Sequence, residues 1–241
     1  MAYRKEFLLA RAEMVEWVAR IGAVTGDALA ERDRCTKQAA RGRLGIAAQT
    51  GLLSSSRPLQ GRPAIYTATA AGLRAADLER LEPGRVSAAN AAHAIACVEV
   101  AVMLELAYPD YRVTGERWLR GEETDGTPLA SAILGRRADG SPLLHRPDLV
   151  LWPASQESVA EGYLPIAVEV ELTVKAPGRL LEICRAWARC DCVEAAVYFA
   201  APEVLRPLRR AITKAHADER IVVLELKTDS RSPGSSSRGL R

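Results

Sequence analysis

Pro165-Ile166-Ala167-Val168-Glu169-Val170-Glu171-Leu172-Thr173-Val174-Lys175 is the stretch on which the fold of this chain turns. Ile166, Val168, Val170, Leu172 and Val174 alternate with Ala167, Glu169, Glu171, Thr173 and Lys175, the period-two pattern of a strand. Both glutamates therefore share one face. Two acids that close on a sheet surface repel each other, so such a strand needs a cation between them or an arginine opposite. Upstream, the run from Leu143 to Trp152 reads as a second strand and adds a third carboxylate, Asp148, within Arg146-Pro147-Asp148-Leu149-Val150.

Working outward, an alanine-rich helix from Ala88 to Leu106 carries Ile95, Val98, Val102 and Leu106 on one side and stops at Pro109. A strand from Tyr111 to Trp118 follows, then a polar loop to about Pro142. Beyond the two acidic strands come a helix from Pro177 to Cys190, a strand from Glu194 to Phe199, a helix from Glu203 to Ala217 and a strand from Ile221 to Leu226. Helix, three strands, then helix and strand twice imply a mixed sheet with helices on its faces, an α/β (α+β) chain.

The first third reads differently. Phe7, Leu8, Met14, Val15, Val18 and Ile21 recur at helical spacing until Gly22, Thr25 caps a short helix to Arg32, and Thr36 precedes a third helix that Gly51 ends. On a helical wheel Arg34, Gln38, Arg41 and Gln49 form one stripe, while Ala40, Leu44 and Ala47 face away from it. Arg and Gln match guanine and adenine edges in the major groove, which admits a helix. Leu52-Leu53, turn residues Pro58 and Gly61, and Ala64 to Thr67 then read as a β-hairpin with Arg57 and Arg62 at its tip, positioned for phosphate. The segment is a winged helix-turn-helix by this reading, with Arg34, Lys37, Gln38, Arg41, Arg43, Arg57 and Arg62 as its DNA-binding residues. Between Arg32 and Arg62 seven basic residues face the single acid Asp33.

Pro83-Gly84 place a boundary, giving a DNA-binding domain over 1–84, an α/β domain over 85–228 and a disordered tail over 229–241, where Ser, Arg, Pro and Gly cannot build a core. Among 241 residues, 48% hydrophobic and 26% charged is globular composition, and a net charge of +3 matters less than its placement. No apolar run long enough for a bilayer and no signal-peptide pattern are read, so the expected protein is soluble and cytoplasmic, without a membrane partner. Five cysteines without a C-x-x-C pair, and three scattered histidines, argue for reduced thiols rather than a zinc site.

Pro147-Asp148 followed by Glu169-Val170-Glu171 resembles the PD-(D/E)xK nuclease signature, in the strand order that fold uses. Glu171 stands where the signature has lysine. Lys175, on the same face but farther along, replaces it only if its side chain bends back. The resemblance implies a restriction-endonuclease-like domain in which Asp148, Glu169, Glu171 and Lys175 are the catalytic set. Its metal shell for Mg2+ or Mn2+ is Asp148, Glu169 and Glu171, with Glu99 from the preceding helix. The alternative is purely structural: Asp148 caps a turn or pairs with Arg146, and the glutamates pair with Arg179 or Arg185. Across roughly residues 7 to 225, with His93, Glu116-Arg117-Trp118 and Arg146-Pro147-Asp148, the chain resembles the replication-relaxation protein family. That resemblance implies a role in replication or transfer of plasmid or mobile-element DNA, and with the winged helix the expected protein is a double-stranded-DNA-binding homodimer. A metal-dependent endonuclease and a dimeric transcriptional regulator with an inactive nuclease-like domain are the other two readings.

Overall fold

The computed structural model describes residues 2–124, 126–153 and 162–227, with side chains from residue 10 onward. Phe7, Leu8 and the tail over 229–241 thus lie outside the side chains or residues described.

The chain starts with α1 (Ala2–Ile21), β1 (Val24–Thr25), α2 (Gly26–Arg32), α3 (Lys37–Gln49), β2 (Leu53–Ser56), β3 (Ile65–Ala68) and α4 (Ala70–Ala75). Local chemistry sets these limits. Thr25 Oγ1 accepts from Ala28 N–H at 3.1 Å, and Thr36 Oγ1 accepts from Ala39 N–H at 3.2 Å, so each helix begins where a hydroxyl satisfies an orphan amide. Gly22 and Gly51 take positive φ just after helices, a conformation that costs a residue with a Cβ. The three short strands pair antiparallel in the order β1-β3-β2. Ala40, Leu44 and Ala47 are the buried positions of α3, as their wheel placement requires.

Next come α5 (Ala88–Ala107), β4 (Tyr111–Gly115), α6 (Glu116–Glu122), β5 (Ala132–Arg136), β6 (Pro142–His145), β7 (Leu149–Pro153), β8 (Ile166–Glu171), α7 (Pro177–Ala188), β9 (Ala196–Ala200), α8 (Pro202–Ala215) and β10 (Ile221–Glu225). Five strands form a mixed sheet in the order β10-β9-β8-β7-β4, parallel from β10 to β8 and antiparallel from β8 to β4. Val168 and Val170 of β8 join the core shared with α1 and α5, while Ala167 joins the core under α7 and α8. Helices therefore cover both faces, as the element order implied.

Several expectations are corrected. The run from Leu143 to Trp152 is two strands, because Pro147 offers no amide and restricts the residue before it, so β6 leaves the five-stranded sheet to pair with β5. The supposed polar loop before Pro142 contains α6 and β5, and β4 stops at Gly115, where a Cβ would meet the Ile21 carbonyl oxygen at 2.3 Å. β8 ends at Glu171, short of Val174. Among the described residues α5 alone is long and apolar enough to cross a membrane by length and composition, with mean hydropathy 1.5. A helix packed on several sides needs the same composition: α5 buries Ala91, Ile95, Val98 and Val102, although Leu106 is exposed.

One continuous hydrophobic cluster runs from Met14 and Trp17 of α1 through α2, α3 and α5 to Leu149, Val168 and Phe199 in the sheet. Gly84, the expected boundary, lies between α4 and α5 outside helix and strand, and its carbonyl accepts from Thr67 Oγ1 at 2.9 Å. A second link is polar. Glu105 of α5 accepts from Trp17 Nε1 at 3.0 Å and lies 3.5 Å from Arg20 and 3.3 Å from Arg32, whose guanidinium stacks on the Trp17 ring at 4.7 Å. Burial pushes the Glu105 carboxyl up against the pull of these two arginines. Replacing Glu105 with Gln removes the acid that Arg20 and Arg32 share and leaves them Glu16 and Asp33, each at 3.3 Å, so the expected loss is on the order of 1 kcal/mol. Chemical denaturation checks it; a change within experimental error would remove this cluster from the contacts that hold α1 to α5.

Candidate functional site at the end of the acidic strand

β8 outruns its partner. The β7–β8 ladder begins at Leu149 opposite Val168, so on that side Val170 N–H has no strand carbonyl to bond. Asp148 supplies the acceptor: its Oδ2 receives Val170 N–H at 2.8 Å, and its own carbonyl receives Glu116 N–H at 3.0 Å. The Pro147-Asp148 step thus closes the ladder with a carboxylate. From α5, His93 Nε2 comes within 3.3 Å of the same Oδ2 and 3.0 Å of the Val170 carbonyl. One helical turn on, Cys97 Sγ lies 3.6 Å and 3.7 Å from the His93 ring nitrogens. Ligand atoms of His93, Cys97 and Asp148 all lie within 4.8 Å of one another, close enough to hold a metal ion, and no other such group occurs among the described residues.

The two glutamates face the opposite side, toward α7. Glu169 is buried, receives Trp187 Nε1–H at 3.2 Å and pairs with His145 Nε2 at 2.6 Å. Glu171, also buried, pairs with Lys175, whose side chain does bend back along the strand. The repulsion that the sequence demands be relieved is relieved by one imidazole and one ammonium. Of the arginines expected there, Arg179 pairs with Glu182 at 2.7 Å and Arg185 is exposed, while Arg146, expected on Asp148, lies 2.9 Å from Glu123.

Asp148, Glu169 and Glu171 do not form a close-set group of ligands, because Asp148 is drawn to α5 while Glu169 and Glu171 are engaged under α7. Glu99 is exposed and stands two residues past Cys97, about 200° around the helix from it, so it shares no face with His93 and Cys97. The oxygen-rich shell that magnesium prefers is therefore not assembled in this arrangement.

Sequence reasoning missed His93 and Cys97 as partners of Asp148. Their i,i+4 spacing on a helix was the available signal. It also missed Glu123, a buried acid that accepts from Leu129 N–H at 2.9 Å and Ser131 Oγ–H at 2.8 Å; nothing in its neighbouring residues marks it.

In the first third of the chain, Lys37 and Arg41 of α3 both reach Asp27 at 2.8 Å, and Gln38 is exposed. Arg41 lies flat over Gly26, where an added Cβ would meet its Cγ at 2.5 Å. Arg57 and Arg62 are exposed in the loop joining β2 and β3. Two of the expected DNA-binding residues are placed differently. Arg34 is in the turn before α3 with φ 49°, and Arg43 turns back to pair with Asp33.

Comparison with models of known protein families and with curated protein sequences gives no match to this chain.

The His145–Glu169 pair has a titration signature. Burial opposes the imidazolium, but the charge and hydrogen bond of Glu169 overcome it, so His145 is raised above its ordinary 6.5. A raised folded-state value gives stability that is complete below 6.5 and is lost as pH climbs through the raised value. NMR titration of the His145 ring should show a midpoint above 6.5, falling in Glu169→Gln. A wild-type midpoint at or below 6.5 would mean the pair is not ionised.

Proposed function

We propose that the chain is a double-stranded-DNA-binding protein whose first third works as a winged helix-turn-helix. The observation that carries this reading is the outward face of α3, where Lys37, Gln38 and Arg41 are exposed above buried Ala40, Leu44 and Ala47. Three helices with a three-stranded sheet closed by a basic loop support it, since a helix in the major groove flanked by a hairpin is how such modules dock. Asp27 holds Lys37 and Arg41 in place in the free protein, and phosphates or base edges replace it when DNA arrives. The second part is proposed to be a nuclease-like α/β domain, and the whole a homodimer of the replication-relaxation type acting on plasmid or mobile-element DNA, in replication, transfer or regulation.

One observation favours a second reading, a metal-dependent endonuclease. Lys175 folds back to Glu171, which returns an ammonium to the acidic end of the strand despite the altered signature. Magnesium or manganese there needs Glu169 to leave His145 and Trp187 and turn toward Asp148.

Replacing Arg57 and Arg62 with Ala should weaken binding uniformly across sequences and flatten its salt dependence, by roughly 0.9 in slope for each lost phosphate contact. Arg41→Ala should instead blur the preference between sites by about 1–3 kcal/mol. A gel-shift titration that none of these changes alters would reject the assigned DNA surface. Manganese-dependent nicking of plasmid by the wild type, abolished in Asp148→Ala, would promote the endonuclease over the binding protein.

A further inference from the structure

The geometry points to a zinc-class divalent cation site formed by His93 Nε2, Cys97 Sγ and Asp148 Oδ2, on the α5 side of the sheet. Zinc sits about 2.0–2.2 Å from imidazole nitrogen and carboxylate oxygen and about 2.3 Å from thiolate, with tetrahedral angles. Those lengths put nitrogen and oxygen ligands about 3.3–3.5 Å apart, and nitrogen and sulfur about 3.5–3.6 Å apart. The separations here are 3.3 Å from His93 Nε2 to Asp148 Oδ2 and 3.7 Å from His93 Nε2 to Cys97 Sγ. Two edges of the donor triangle thus already have about the lengths that zinc requires, and the third, from Cys97 Sγ to the Asp148 carboxylate, is within 4.8 Å.

Their supports suit the role. His93 and Cys97 are one helical turn apart on α5, a rigid element, and Asp148 immediately precedes β7, with its carbonyl bonded to Glu116 N–H. Val170 N–H, bonded to Asp148 Oδ2, is an outer-shell donor of the kind that orients a carboxylate ligand. On binding, the ion takes the place of any proton on His93 Nε2, which lies 3.3 Å from Asp148 Oδ2 and 3.0 Å from the Val170 carbonyl, and Cys97 releases its thiol proton to solvent to become the third ligand. Three protein ligands leave the fourth position for water. A nitrogen, sulfur and oxygen set selects zinc or cobalt over magnesium, which prefers oxygen alone. This site is separate from the magnesium shell implied by the nuclease resemblance, sharing only Asp148, and it does not rest on DNA binding.

The test uses the untagged full-length chain without DNA. Cobalt(II) added to the wild type should give the visible bands of a tetrahedral ion and a near-ultraviolet thiolate-to-cobalt band, and zinc should displace both. Cys97→Ser should lose the near-ultraviolet band. His93→Gln should weaken zinc by more than the roughly 10–100-fold typical of a lost outer-shell partner. Zinc should raise the melting temperature of the wild type and magnesium should not. Circular dichroism of each variant separates lost ligation from lost folding. Absence of the thiolate band in the folded wild type, an equal band in Cys97→Ser, or a thermal shift from magnesium but not zinc would overturn the proposal. A failed gel shift beside a positive cobalt spectrum would reject only the DNA-binding reading.

Discussion

Two buried carboxylates on one face of β8 must be compensated, and much of the second half of the molecule is arranged around that requirement. An unpaired buried charge costs several kcal/mol, so Glu169 and Glu171 cannot stay at the end of a strand without cations or donors around them. His145 and Trp187 serve Glu169, and Lys175 serves Glu171. Meeting that need brings the end of β6, the last turn of α7 and the segment after β8 to one place. The T-shaped contact of His145 with Trp187, ring centres 5.8 Å apart, fills the same gap with apolar surface.

The Pro147-Asp148 step has a related cause. A strand that ends early leaves its neighbour with an unpaired amide, and a buried amide without a partner costs about 1–3 kcal/mol. Asp148 removes that cost for Val170 and at the same time presents its carboxylate to α5. Hydrogen bonding and burial set the character of its partners. His93 is raised above its ordinary value by the Asp148 bond, against burial, whereas Cys97 is pushed well up by burial and by the Asp148 and Glu169 carboxylates. Histidine stays ready to carry charge, and the thiol keeps its proton until something displaces it.

α5 joins these events to the first third of the chain. One end of the helix carries His93 and Cys97 beside the sheet, and the other carries Glu105 beside Trp17, Arg20 and Arg32. The continuous core around α1 and α5 means that the proposed DNA-binding face and the acidic strand are mounted on packed elements rather than joined through a linker alone. Small interior residues matter to this fit: Gly115 admits the Ile21 carbonyl and Gly72 the Leu52 carbonyl, each closer than a Cβ allows.

Much was legible in the sequence because local physics writes it there. Threonine caps at Thr25 and Thr36, the buried Ala40, Leu44 and Ala47 stripe, the period-two alternation that puts Glu169 and Glu171 on one face, and the mixed sheet all follow from short-range periodicity and backbone chemistry. The partners of the acids do not follow, because they are set by contacts across long stretches of chain. Val170 is 22 residues from Asp148, Trp187 is 18 from Glu169, and His93 reaches Val170 across 77. Sequence spacing fixes which face a side chain occupies; only the packed sheet decides which side chain stands opposite, since that choice belongs to whichever donor satisfies a buried charge or amide at least cost. For that reason the three carboxylates are visible as a motif in the sequence, while the structure divides them between α5 and α7.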